Sequence, residues 1–306
     1  MMNTKFPGHA IPAATFMLML VLFPAFGQED QIPFDVSASV DWSRGELNAQ
    51  ASFSLAQAGL KLPAGRYRGE EILDDAYPGL LRPRLLALRV DSNSTVGDLL
   101  DRGELSLEDL DTLSRAALKT PPSLSADLAR MVGRYTVPME RISALLSRGQ
   151  GRETEAAGPL IPVRAADYTG IIIIADEALP VHGRNTRALA EPCLFPKIWD
   201  TDMELIYERN MISPASREGS LMARYIVSGN IFRPTPSGLD GDIAAFLGPN
   251  PLRIIAREIF GISPTDPVID RADALKILST ENNRRLLREG RVALVLNAAQ
   301  LTSTVK

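Results

Sequence analysis

The sequence predicts an α+β protein: two small mixed-sheet domains with packed helices, after an N-terminal signal peptide. Three observations carry this. Residues 36–42 and 46–55 alternate apolar and polar on either side of Ser43-Arg44-Gly45, the mark of a half-buried β-hairpin. Later stretches switch to helical spacing behind residues that cap helices, as at Ser106 and Asp270. Short apolar runs such as Ile171 to Ala175 then return to strand length.

Lys5 precedes an apolar stretch from Ala10 to Phe26, followed by the polar run Gln28-Glu29-Asp30-Gln31. Ala25-Phe26-Gly27 places small residues where a cleavage site needs them, and the whole order is that of a secretory signal. Pro12 and Pro24 bracket an apolar core of about 11 residues, short of the roughly 20 that span a membrane. The predicted organisation is signal peptide 1–27, first α+β domain 28–150, linker 151–166 and second α+β domain 167–306.

In the first domain, Leu47, Ala49, Ala51, Phe53 and Leu55 share one face of the second hairpin strand, and 59–69 reads as loop. Glu70 to Val90 has helical spacing interrupted by Pro78 and Pro83. Each proline removes a hydrogen bond and crowds the preceding turn, so two short helices are expected, or one that starts again near Pro83. Thr95 to Leu100 starts another short helix. Ser106 caps a cleaner one, with Glu108 and Asp109 at the positive end of its dipole and Pro121-Pro122 ending it. Leu128 to Val137 reads as a strand and 139–147 as a brief helix. Residues 148–159, rich in glycine and charge, begin the linker.

In the second domain, short strands are expected at 171–175, 195–199, 203–207 and 223–227. Residues 229–250, with four glycines and three prolines, read as an extended loop. Strand character resumes at 252–259. Asp270 caps a helix, a second helix runs from Glu281 to Arg288 and stops at Gly290, Val292 to Leu296 is a buried strand, and the last ten residues read as a loose tail.

Without residues 1–27 the chain keeps 32 basic and 37 acidic residues, a net charge near −5. No dense basic block attracts a phosphate backbone, so no nucleic-acid partner is expected. After signal removal no transmembrane span remains. The single cysteine, Cys193, allows no internal disulfide, and no cysteine follows the cleavage point to carry a lipid. Export without disulfides suits a bacterial periplasm.

No catalytic, cofactor-binding or metal residues are assigned, and no cofactor is expected. His182 is the one histidine left after cleavage and lies in a polar loop, read as solvent-exposed; no Gly-x-Ser-x-Gly elbow accompanies it. Cys193 reads as a buried thiol. Asp200-Thr201-Asp202 and Asp240-Gly241-Asp242 are the nearest approach to calcium spacing and read as turns. Trp42 and Trp199 read as packing residues.

Several segments together resemble bacterial exported envelope proteins related to the flagellar outer-membrane-associated FlgP/FlgT family. They are Asp41 to Gly45, Leu88 to Val96, Tyr168 to Asp176, Pro196 to Asp202, Gly248 to Leu252, and Thr265 to Ile269 with Asp273-Ala274. Met203 stands where that pattern has glycine, and Glu177-Ala178-Leu179 replaces its Ala-Arg-Gly. The resemblance implies a periplasmic, non-enzymatic structural or assembly protein, associated with the outer membrane without lipidation. It implies protein partners in the envelope: flagellar motor components or further copies of the chain. Two other readings stand beside it: a periplasmic small-ligand or glycan-binding module, and a hydrolase using carboxylates alone.

Overall fold

The computed structural model describes residues 32–148, 154–213, 216, 221–233 and 235–305. The signal-peptide reading lies outside them, as do residues 149–153 at the glycine-rich start of the linker.

The hairpin forms as its alternation requires. Strand β1 (Phe34–Asp41) pairs antiparallel with β2 (Glu46–Ser54), placing Val40 opposite Leu47 and Ala38 opposite Ala49 on the buried face. Helix α1 (Gly65–Leu86) packs against that sheet. It runs unbroken through Pro78 and Pro83, where two helices, or one that starts again near Pro83, are expected from sequence. Gly69, Leu73, Tyr77, Leu81 and Leu85, four residues apart, make one buried stripe. The prolines lie off that stripe. The carbonyls they free, four residues back, belong to the exposed residues Asp74 and Gly79, on the solvent side of the helix. The helix also starts inside the segment read as loop.

Helices α2 (Val96–Asp101) and α3 (Leu107–Arg115) both begin with capping boxes, Thr95 with Asp98 and Ser106 with Asp109. Hydrogen bonds from the Ser106 hydroxyl and backbone N–H hold the Asp109 carboxyl below its ordinary range. Pro121-Pro122 does not end α3. It sits in an edge strand, β3 (Leu118–Leu124), at the register break between Thr120 and Ser123 where β3 pairs with β4 (Arg130–Pro138). An edge tolerates prolines because their missing donors would face solvent. Tyr135 of β4 stacks on Tyr77 of α1, with centroids 4.7 Å apart. Helix α4 (Met139–Leu146) follows.

The second half begins with β5 (Ile171–Ala175), a small hairpin β6 (Leu179–Pro180) and β7 (Arg187–Ala188), then β8 (Ile198–Asp200), β9 (Leu205–Tyr207) and β10 (Arg224–Ile226). The stretch read as extended loop holds a helix, α5 (Gly241–Leu247). Leu239, Ile243 and Leu247 cover the sheet face made by Ile172, Ala293, Val295 and Ile226, and that burial outweighs the glycines and prolines around it. Strands β11 (Leu252–Ile255), β12 (Glu258–Phe260) and β13 (Asp266–Ile269) lead to α6 (Arg271–Leu278) and α7 (Glu281–Arg288). The Asp270 side chain accepts the Ala272 N–H and caps α6 as its sequence position predicts. Strand β14 (Val292–Leu296) precedes α8 (Ala298–Leu301) and β15 (Thr302–Val305).

The architecture is α+β. A parallel sheet has the order β10-β14-β5-β11, and a mixed sheet the order β12-β13-β8-β9. The antiparallel sheet of the first half reads β15-β1-β2-β4-β3, so the chain's final strand completes its first sheet. The end of the chain is therefore not a loose tail. Residues 33–306 form one compact unit. Residues 154–168, within the expected linker and just after it, lie along the second half: Asn283 donates to the Ala166 carbonyl and accepts from the Tyr168 N–H, both at 3.0 Å.

Candidate functional site

The two halves meet through backbone bonds that neither half makes alone. Leu194 and Phe195 N–H groups donate to the Arg89 and Val90 carbonyls at 3.1 and 2.8 Å, and the Ser263 N–H donates to Ser92 O at 2.9 Å. Arg89 also pairs with Glu191 at 3.5 Å and hydrogen-bonds Ser263. Trp42, 4 % exposed just after β1, meets the Tyr225 ring of β10 in a T-shaped contact, with centroids 5.6 Å apart.

Behind this seam is a buried polar cluster. The Tyr225 hydroxyl accepts the Cys193 N–H at 3.0 Å and donates to the Cys193 carbonyl at 2.7 Å. Cys193 is a buried free thiol, as expected. Burial pushes it far above the ordinary thiol range, so it stays protonated and carries no nucleophilic thiolate at neutral pH. Asp266 is fully buried, and one of its oxygens accepts the Lys197 N–H at 3.2 Å and the Thr265 hydroxyl at 2.8 Å. Burial raises its carboxyl above the ordinary 3.8 despite those bonds. The native state therefore holds a proton that the unfolded chain releases above 3.8. Asp266's contribution to stability is full below that value and falls as pH rises through the raised one. Comparing urea midpoints of wild type and Asp266→Asn between pH 4 and 7 checks this: the wild type should lose stability relative to the variant as pH rises.

The Asp200-Thr201-Asp202 segment forms a turn, as expected. Asp200, 0 % exposed, accepts the Asp202 and Glu204 N–H groups at 3.0 and 2.8 Å. Arg271 at the start of α6 fills the centre of the carboxylate group, bonding Asp200 and Glu204 and approaching Asp202 at 3.7 Å. A guanidinium occupies the place a cation would take. Within the turn Met203 has φ of +60°, the left-handed region that a side chain disfavours by about 1–2 kcal/mol. Met203→Gly should stabilise the fold by about 0.5–1 kcal/mol, after allowing for the greater freedom of glycine in the unfolded chain. Chemical denaturation checks the sign.

His182 lies in the β6–β7 loop but is half-buried, its Nδ1 2.7 Å from Glu258 and its ring edge-on to Phe260. The expected solvent-exposed loop histidine is thus a half-buried one held by Glu258. Trp199 also packs edge-on to Phe260, and Asp240 precedes α5 and pairs with Arg233 at 3.4 Å.

Sequence reading does not reveal the groove beside β10, because five separated segments build it. A groove of about 820 Å³ runs along the outer edge of β10. Arg224 to Val227 form its floor. Register sets its walls: Ile226 shares its sheet face with Val295 and the α5 side chains, while Tyr225 points to the opposite face, toward Trp42. One wall is accordingly Asp242, Ile243 and Phe246 of α5; the other is the Trp42–Gly45 turn with Leu301 and Thr302. Arg224 lies over the Phe246 ring at 4.3 Å and makes no ion pair among the described residues. Such a stacked guanidinium leaves its N–H edge open to an acceptor.

No curated protein matches the chain. Residues 33–145, from β1 to α4, match the family model of the N-terminal domain of Treponema pallidum Tp0624. Residues 170–298 match the model of that protein's second domain, so the chain is similar, half by half and in the same order, to the first two domains of Tp0624.

Proposed function

We propose that this chain is a non-enzymatic structural or assembly protein of the cell envelope, exported to the periplasm and acting through its folded surface. An accessory role at a flagellar motor is its more specific form. The observation that carries the reading is the open parallel sheet. Its two outer strands are β10, which lines a groove, and β11, where Ile255 is 68 % exposed. Apolar side chains on open strand edges are the surfaces through which chains join one another. The processed N-terminus expected from residues 1–27 and the net negative charge agree with an extracytoplasmic protein partner rather than nucleic acid.

The test is fractionation of a tagged chain together with a photocrosslinking residue at Ile255. The expected result is a processed N-terminus in the periplasmic or envelope fraction and discrete crosslinks to envelope proteins. An intact N-terminus in the cytosolic fraction, or a monomer without crosslinks, would overturn the reading. The alternative, a small-ligand or glycan-binding module, draws support from the groove's volume, which lies in the range of small-molecule sites. A native-state ligand from a saccharide panel would raise the melting temperature.

A further inference from the structure

We infer that the groove along β10 takes an extended peptide segment of a partner protein, added as a fifth strand to the parallel sheet. This deepens the envelope-assembly reading and rests on it.

β10 pairs with β14 on one side, and among the described residues no other main-chain or side-chain group hydrogen-bonds the backbone of Arg224, Tyr225 or Ile226. In a parallel pair, alternate residues turn N–H and C=O away from the neighbouring strand, so this edge offers unused donors and acceptors. A buried edge of that kind is covered by protein or by water, and here it forms the floor of an 820 Å³ groove.

The walls fit a strand better than a compact ligand. A fifth strand would present alternate side chains to opposite faces. One set would meet Ile243 and Phe246, the other the Trp42 turn and Leu301, the two walls that register places on opposite sheet faces. Main-chain bonds supply affinity in this mode and the alternating pockets supply selectivity. The rim adds a charge preference. Arg224 and Arg44 stand beside Asp242 and Glu140, which suits a segment carrying both an acidic and a basic residue and disfavours a polyanion.

The experiment selects short random peptides displayed on phage against the full mature chain and measures the enriched peptides in solution. Binders should slow hydrogen exchange of the β10 amides. N-methylation of alternate peptide amides should weaken them at least about tenfold, the effect of about one lost hydrogen bond. Asp242→Trp, which adds bulk at an exposed rim position, and Arg224→Ala should each weaken binding at least about tenfold with the fold intact by circular dichroism. Failure to enrich any binder overturns the inference. So does protection elsewhere than β10, or indifference to N-methylation, which would mark side-chain binding. None of these failures touches the Ile255 crosslinking result, so the two readings fail separately.

Discussion

Gly261→Ala should destabilise the protein by about 3–5 kcal/mol, a large fraction of an ordinary domain's stability. Gly261 follows β12 with φ of +119°, a conformation that side chains rarely adopt and that strains a non-glycine residue by roughly 1–3 kcal/mol. An added Cβ would also stand 2.4 Å from Ser92 Cβ and 2.5 Å from the Ser263 carbonyl. Neither neighbour can yield freely, because the Ser263 N–H bonds Ser92 O across the seam at 2.9 Å. Overpacking of this kind adds roughly 1–3 kcal/mol. Ser92→Gly in the same chain removes one of the two clashes and should restore part of the loss, a coupling that a double-mutant cycle measures. Additive effects of the two substitutions would show that the seam does not close on Gly261.

A chain ending at Asn297 should lose about 4–6 kcal/mol. It lacks β15, whose residues 302–305 pair with Asp41, Val40, Ser39 and Ala38. Each net hydrogen bond of that ladder contributes roughly 0.5–1.5 kcal/mol. It also lacks Leu301, 4 % exposed, whose burial contributes roughly 1.5–3 kcal/mol and whose carbonyl accepts the Trp42 N–H at 2.9 Å. With β15 gone, β1 becomes a bare sheet edge, and self-association should rise. Urea unfolding with Trp42 emission measures the first effect and light scattering the second. An unchanged midpoint would mean that the terminal strand adds little to the first sheet.

What the sequence makes legible here is local. Ser106 and Asp270 cap their helices because a cap involves residues two or three apart, and the hairpin around Gly45 follows from alternation on its two arms. Misreadings arise where distant packing decides. Pro78 and Pro83 signal a break, but the stripe from Leu73 to Leu85 holds α1 together. Helix α5 lies among glycines and prolines, and its apolar spacing gains meaning only when Ile172 and Val295 lie beneath it. The partner of β15 is some 260 residues away along the chain, and Arg271 is 71 residues from Asp200. The groove has no motif of its own, since its floor, two walls and rim come from separate segments.

The two halves form a single body across the Trp42–Tyr225 seam. The chain carries one tryptophan in each half, Trp42 and Trp199. Urea unfolding of Trp42→Phe and Trp199→Phe, each followed by the remaining indole and by circular dichroism, reports on the halves separately. One shared transition with coincident midpoints is the predicted result, once each variant's own stability change is read from its circular dichroism. Two transitions in one variant, the indole moving at a different urea concentration from the backbone signal, would contradict it.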